Sequence, residues 1–299
     1  MTKSSSFALL PPLLAVVGLY VLVTLGIESP LWRSLVRGEP VGLETSLSST
    51  ELDRADLLAA AFARMDYRLD NIAAGHAVPP LFLPAVPTDL AELAQTDDKK
   101  RVFLRLMLPL VLVVNQEIAQ DRARLEAMAK GKVSRDNDWL SELAQRYQSK
   151  SADPAALLRR VDIVPPSLAL AQAAEESGWG TSRFVREGNN LFGQIAEDGI
   201  TPTQDQTGPN MATFDSLHAA VKAYMLNLNS HAAYEPLRRM RALLRNRGAF
   251  PDGYSLAGAL GAYSERGQGY VDGLRTLIRH NELLRFDHAK LAGSQDRHS

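Results

Sequence analysis

Residues 167–184 read SLALAQAAEESGWGTSRF, and residues 189–194 read NNLFGQ. Pro166 suits the first turn of a helix, where a missing N–H costs nothing, and Gly178 suits the residue that ends one. The spacing predicts a helix over 166–177 with Glu175 and Glu176 in its last turn. A helix carries partial negative charge at its C-terminal end, so a carboxylate there tends to keep its proton. Trp179 follows Glu176 by three residues and can lie beside that carboxyl, excluding water; desolvation pushes the same way. A glutamate held neutral near pH 7 is the acid that glycoside hydrolysis requires. A solvated carboxylate pair at a frayed helix end, with Trp179 simply buried, fits the same generic features.

Helical patterns recur on both sides of this segment. Downstream they fall near 215–229, 231–246, 254–263 and 268–285, while Gln194 to Thr213 is polar and aperiodic and reads as a loop or small β-hairpin. Upstream, Pro154 suits another first turn, and NDWLSELAQRY (137–147) is amphipathic. Asp97 to Lys130 reads as one long helix with an apolar centre at 102–114. That run is short for a membrane span and contains Arg105, so a buried helix kinked near Pro109 is expected. Proline punctuation at 77–87 excludes regular helix. A helix is expected to start near Ser49 or Thr50, with Thr50 and Asp53 at capping-box spacing. Leu52, Leu57, Leu58, Phe62, Met65 and Leu69 extend its stripe to about Asn71.

Phe7 to Ile27 is 21 residues without a charge, about 30 Å of helix and one hydrocarbon core. Lys3 precedes it, which favours a cytoplasmic N-terminus. No A-x-A cleavage site follows, so an uncleaved anchor is expected, with the chain beyond about residue 30 outside the cytoplasm.

The 299-residue chain is 45% hydrophobic and 22% charged, with a formal net charge of −1. The balance excludes a nucleic-acid-binding polycation. The absence of cysteine excludes disulfides, thiolate metal sites and a cysteine nucleophile. The six histidines show no metal-ligand spacing, and neither a G-x-S-x-G elbow nor a P-loop occurs. RRMRALLRNR (238–247) is a basic helix, expected on a solvated face or against anionic polymer or membrane. His231 reads as a helix-boundary cap. Tyr224 and Asn227 share a helix face and, with Trp179 and Phe192, could line a sugar cleft.

AQAAEESGWG followed by NNLFGQ resembles the bacterial glucosaminidases of glycoside hydrolase family 73, whose pattern is approximately A-Q-x-x-x-E-S-G-W-G and then N-L-F-G. Gln172, Glu176, Ser177, Gly178, Trp179 and Gly180 match the first element, and Asn190, Leu191, Phe192 and Gly193 the second. The likeness is greatest to the Bax-type subgroup, which carries the EESGWG form, a stretch like MLNLNSH at 225–231, and an N-terminal membrane segment. The resemblance covers about residues 45–290. It implies a lysozyme-like, mainly helical fold and hydrolysis of the β-1,4 bond between N-acetylglucosamine and N-acetylmuramic acid in peptidoglycan, without metal or cofactor. It implies Glu176 as the general acid and Glu175 as secondary. It also implies a tyrosine near the acid, which maps to Tyr263 of AYSERGQGYV. The second tyrosine of that family segment maps to Tyr270, one residue further along than the family pattern. Many members carry another glutamate after N-L-F-G; here Glu197, Asp198 and Asp205 are available in a short lobe, none in a matching motif, and Glu197 is the candidate for placing water, against a solvent-facing loop acid with the substrate's own N-acetyl group assisting.

The expected architecture is a mainly α chain: an anchor at 1–30, a tether at 31–48, a helical accessory region at 49–150, a lysozyme-like domain with a small β-lobe at 154–290, and a disordered tail at 291–299. The expected catalytic residues are Glu176, Tyr263 and Glu197. Trp179, Asn190, Phe192, Tyr224, Asn227 and Tyr270 are expected to contact substrate. The expected partners are peptidoglycan glycan strands and the inner membrane, with no nucleic acid; the domain would face the periplasm or wall. Muramidase-like or lytic transglycosylase-like cleavage of the neighbouring bond, and a noncatalytic wall-binding scaffold, are the rival readings.

Overall fold

The computed structural model describes residues 47–201 and 209–293. The apolar run at 7–27, nearly all of the tether and Asp205 lie outside them. In chain order the helices are α1 (Ser49–Asp53), α2 (Ala55–Arg64), α3 (Leu69–Ala73), α4 (Thr96–Ala129), α5 (Asn137–Arg146), α6 (Pro154–Leu157), α7 (Pro166–Ser177) and α8 (Arg183–Gly188). Strand β1 (Ile195–Ile200) follows, then α9 (Leu217–Ser230), α10 (Glu235–Asn246), α11 (Gly253–Ala257) and α12 (Gln268–His280). The fold is mainly helical. Its strand is bridged antiparallel to Met211, within the stretch after residue 194 read as a loop or small β-hairpin.

The described residues belong to one compact unit spanning Leu43–Ser299, so the accessory region and the domain after it share a core. Helices α4 and α7 form its centre. α4 is long and apolar enough to cross a membrane, yet 72% of its most apolar window is buried inside the protein. It packs against α2, α6, α7 and α9. Pro109 lies within it, and α4 continues through that position. A proline there leaves the carbonyl of Arg105 without its helical N–H. The hydroxyl of Tyr67 fills the vacancy, donating to that carbonyl at 3.0 Å.

α7 is buried from Pro166 to Ala174. A helix apolar nearly all round belongs in the interior, and α7 is enclosed by α4, α11, α12 and the 3-10 turn Leu283–Phe286. Pro165 at its start offers no side-chain cap. Asp287 supplies one from 120 residues away: it accepts from the N–H of Ser167 at 2.7 Å and from its hydroxyl at 2.8 Å. Asn115 of α4 grips the approach to α7, exchanging two hydrogen bonds with the backbone of Val164 at 2.7 and 3.0 Å.

Several expectations change. The stripe from residue 50 to 71 is three short helices, broken at Arg54 and at Asp66, whose φ is +51°. The capping box is Ser48 with Glu51 rather than Thr50 with Asp53; a glutamate reaches back to the cap N–H, and an aspartate is one methylene short. The segment 254–263 is helical only in α11. The basic helix α10 does not present all its arginines outward. Arg238 and Arg241 are buried, and burial lowers each guanidinium to about 10. Arg238 donates to the carbonyls of Leu228 and His231 at the C-terminal end of α9, where a cation is favoured. Arg241 and Arg245 converge on buried Asp162. Leu291, assigned by sequence to the tail, is buried and bridged to Val78.

Candidate active site

α7 ends as its sequence dictates. Gly178 caps it in the left-handed conformation at φ +58°. Trp179 and Gly180 continue in left-handed backbone at +59° and +79°, a conformation that costs a tryptophan energy. Ser177 stabilises the turn, its hydroxyl donating to Ala173 O and accepting the N–H of Gly180. A side chain at Gly180 would strike Phe103, with the nearest ring carbon 2.9 Å from its Cβ. The E-S-G-W-G string is thus a sharp exit that leaves Glu176 in the last turn of a rigid helix.

Tyr270 of α12 donates its hydroxyl to Glu176 Oε1 at 2.7 Å. Gln172, one helical turn before Glu176, donates Nε2 to Tyr270 Oη at 2.9 Å. Tyr224 of α9 donates to Gln172 Oε1 at 2.7 Å. Four residues from three helices make one chain ending on the carboxyl. On the other side is the N-L-F-G turn. Gly193 has φ +63°, and a Cβ there would lie 3.2 Å from Glu176 Oε2, so glycine serves both the backbone and the close approach.

Glu176 is half-buried, and desolvation pushes its carboxyl above the usual glutamate range. The Tyr270 hydrogen bond opposes that, the neighbouring charge of Glu175 adds to it, and Arg266 opposes it. Glu175 pairs with Arg266 at 2.6 Å, and the Arg266 guanidinium lies 5.2 Å from the Tyr270 ring centre.

Tyr263 stacks on Tyr270, rings 5.5 Å apart and 5° from parallel. Its hydroxyl donates to the carbonyl of Phe192 at 2.9 Å. Tyr263 therefore holds the N-L-F-G turn, and Tyr270, the tyrosine displaced by one residue, touches the acid. Trp179 packs edge-on against Phe103 at 5.8 Å, with Lys100 Nζ 5.2 Å from its ring centre; those contacts direct it to α4. Asn190, Phe192 and Tyr224, expected against sugar, are buried to 1% exposure or less and support the site from behind. Asn190 spends its amide on Gln194 and Ala212, and Phe192 stacks on Tyr224 at 3.8 Å. Asn227 is half-buried and bonds the Tyr234 side chain. His231 caps as expected, its Nδ1 accepting from Ala233 N. Glu197 is exposed on β1, its carbonyl held by Asn210.

Sequence reasoning missed the role of Gln172, and its signal was available: four residues before Glu176, it shares that face of the helix. Arg266 carried no such signal.

The family described as glucosaminidase, mannosyl-glycoprotein endo-beta-N-acetylglucosaminidase, matches residues 152–283. Protein bax of Escherichia coli (strain K12) is 32% identical over 204 residues, which is 66% of this chain and 74% of that protein. The chain belongs to the Bax-type glucosaminidase family. No solved structure matches it. The glucosaminidase match begins just before α6 and ends just after α12, so it contains Gln172, Glu176, Gly193, Tyr224, Tyr263 and Tyr270. The likeness to protein bax covers 204 residues, more than the 132 from 152 to 283. This Bax-type chain packs its upstream helix α4 directly on the site helix.

Proposed function

We propose that this protein is a peptidoglycan hydrolase, an endo-β-N-acetylglucosaminidase that cleaves the β-1,4 bond between N-acetylglucosamine and N-acetylmuramic acid with Glu176 as general acid. The observation that carries the reading is the setting of Glu176: its carboxyl is desolvated and pushed toward the neutral form, with a hydroxyl donor on Oε1 and the glycine turn at Oε2. The acid gives its proton to the glycosidic oxygen as the C–O bond breaks, and the electron pair leaves with that oxygen. Positive charge develops at the anomeric carbon. Water, or the substrate's own acetamido oxygen, attacks there. Glu197 is proposed to place that water, and Tyr263 to keep the N-L-F-G turn opposite the acid. The domain is proposed to act on the wall side of the inner membrane, tethered by the apolar run at 7–27. Lytic transglycosylase-like or muramidase-like cleavage of the neighbouring bond remains the rival chemistry.

Mass spectrometry of fragments released from purified peptidoglycan by the full chain tests the bond assignment. N-acetylglucosamine reducing ends are expected. N-acetylmuramic acid or anhydro ends would move the activity to the neighbouring bond, and an intact polymer would favour a binding scaffold.

A further inference from the structure

A tyrosine hydroxyl has one proton to give and lone pairs to receive. Tyr270 Oη lies between Gln172 Nε2 at 2.9 Å and Glu176 Oε1 at 2.7 Å. An amide nitrogen only donates, so the single Tyr270 proton is committed to Glu176. The Gln172 carbonyl, in turn, takes the Tyr224 proton at 2.7 Å. Tyr224, Gln172 and Tyr270 are buried, so water does not scramble the order, and reversing one bond alone would leave a polar atom unpaired.

One other direction would satisfy Tyr270 and Glu176, but it sets the Gln172 amide nitrogen against Tyr224 and takes away the acceptor of the Tyr224 proton. With the Gln172 amide turned over, Tyr270 would donate to Gln172, and Glu176 would have to donate to Tyr270. That arrangement suits only the neutral acid and locks its proton in the Tyr270 bond. The observed direction suits both ionisation states: Oε1 always accepts, and the proton comes and goes on Oε2 alone. Oε2 is the oxygen against Gly193, where the absent side chain leaves room. A proton relay that need not reorganise between states is preorganised for transfer.

We propose that Gln172 is a positioning residue that fixes the transferable proton of Glu176 on Oε2, by making Tyr270 an obligate donor to Oε1. This rests on Glu176 acting as the acid. Other groups acting on the carboxyl are Glu175 on the same helix, Arg266 from the turn before α12, and the phenols of Tyr224, Tyr234 and Tyr263, whose ionisation burial opposes. None of these replaces the Gln172 amide.

Gln172→Met keeps the length of the side chain and removes both hydrogen bonds; Gln172→Glu offers two acceptors and reverses the direction. The Glu176 titration, followed by carboxyl carbon NMR on labelled full chain and assigned by its loss in Glu176→Gln, is read beside turnover. In Gln172→Met the midpoint rises, because Tyr270 becomes a weaker donor, and kcat on the acidic plateau falls about tenfold with KM unchanged, the scale of one hydrogen bond. In Gln172→Glu more Glu176 is neutral, yet turnover approaches that of Glu176→Gln. A lowered melting temperature with an unmoved Glu176 midpoint and unchanged kcat in both variants overturns the proposal. If wild type proves inactive but the midpoint moves as described, the hydrolase reading fails while the hydrogen-bond direction stands; an unmoved midpoint in that case overturns the direction too.

Discussion

The hydroxyl of Tyr270 sits 2.7 Å from Oε1 of Glu176, across 94 residues of sequence, and donates to it. A donated hydrogen bond favours the charged carboxylate, while burial and the charge of Glu175 favour the neutral acid. Burial is the larger effect, so the carboxyl holds its proton above the ordinary glutamate range. An acid must be protonated to work, so turnover is expected to be full at low pH and to fall as pH rises through that elevated midpoint. Tyr270→Phe removes a group that stabilises the ionised form and moves the falling limb to higher pH. Glu175→Gln removes a charge that stabilises the neutral form and moves it lower. A pH series of kcat/KM reads both signs.

Stability carries the same sign without any substrate. A carboxyl whose midpoint is higher in the folded than in the unfolded chain costs nothing below the unfolded value, near 4.3, and progressively destabilises the fold as pH rises through the folded midpoint. Glu176→Gln keeps an acceptor for Tyr270 and carries no charge. It is expected to melt close to wild type at pH 4 and above it at pH 8, by differential scanning calorimetry in matched buffers.

Tyr67 and Pro109 form a compensating pair in the core. Tyr67→Phe leaves the Arg105 carbonyl unpaired beside the proline and is expected to cost about 1–3 kcal/mol. Pro109→Ala restores the backbone N–H, so the double variant should lose less than the sum of the two single changes. A double-mutant cycle by urea unfolding measures that coupling.

Asp162 is the anchor of the inward-facing arginines. It is 2% exposed, and Arg245 grips it through two nitrogens at 2.5 and 2.6 Å, with Arg122 and Arg241 at 3.4 and 3.5 Å. Asp162→Asn removes the counter-charge from buried Arg241 and is expected to cost about 3–5 kcal/mol. The expected readout is a lower urea midpoint with wild-type slope.

Local punctuation made much of this architecture legible. Pro166 and Gly178 bracket α7, Pro154 opens α6, and the polar stretch after Gln194 marks the hairpin. Each signal acts within a few residues, so sequence carries it directly. Contacts across the chain are different. The pattern of α10 shows a basic helix but not that Asp162, 83 residues from Arg245, draws its arginines inward. The extra residue between Tyr263 and Tyr270 obscured the tyrosine on the acid. Between the two tyrosines, Gly267 closes a turn at φ +53°, its N–H bonded to Ser264 O at 3.0 Å, and α12 delivers Tyr270 to Glu176. The left-handed exit after Gly178 sets the Trp179 ring against Phe103, a contact that the helical spacing from Glu176 does not show.

The central claim is that Glu176 gives the proton that breaks the glycan. Release of soluble fragments from purified peptidoglycan by the full chain, beside Glu176→Gln at matched pH and protein concentration, tests it most directly. The expected result is release by wild type and a loss of about 10²–10⁴-fold in the variant, with the variant's fold intact by calorimetry. Release by Glu176→Gln at the wild-type rate would contradict it.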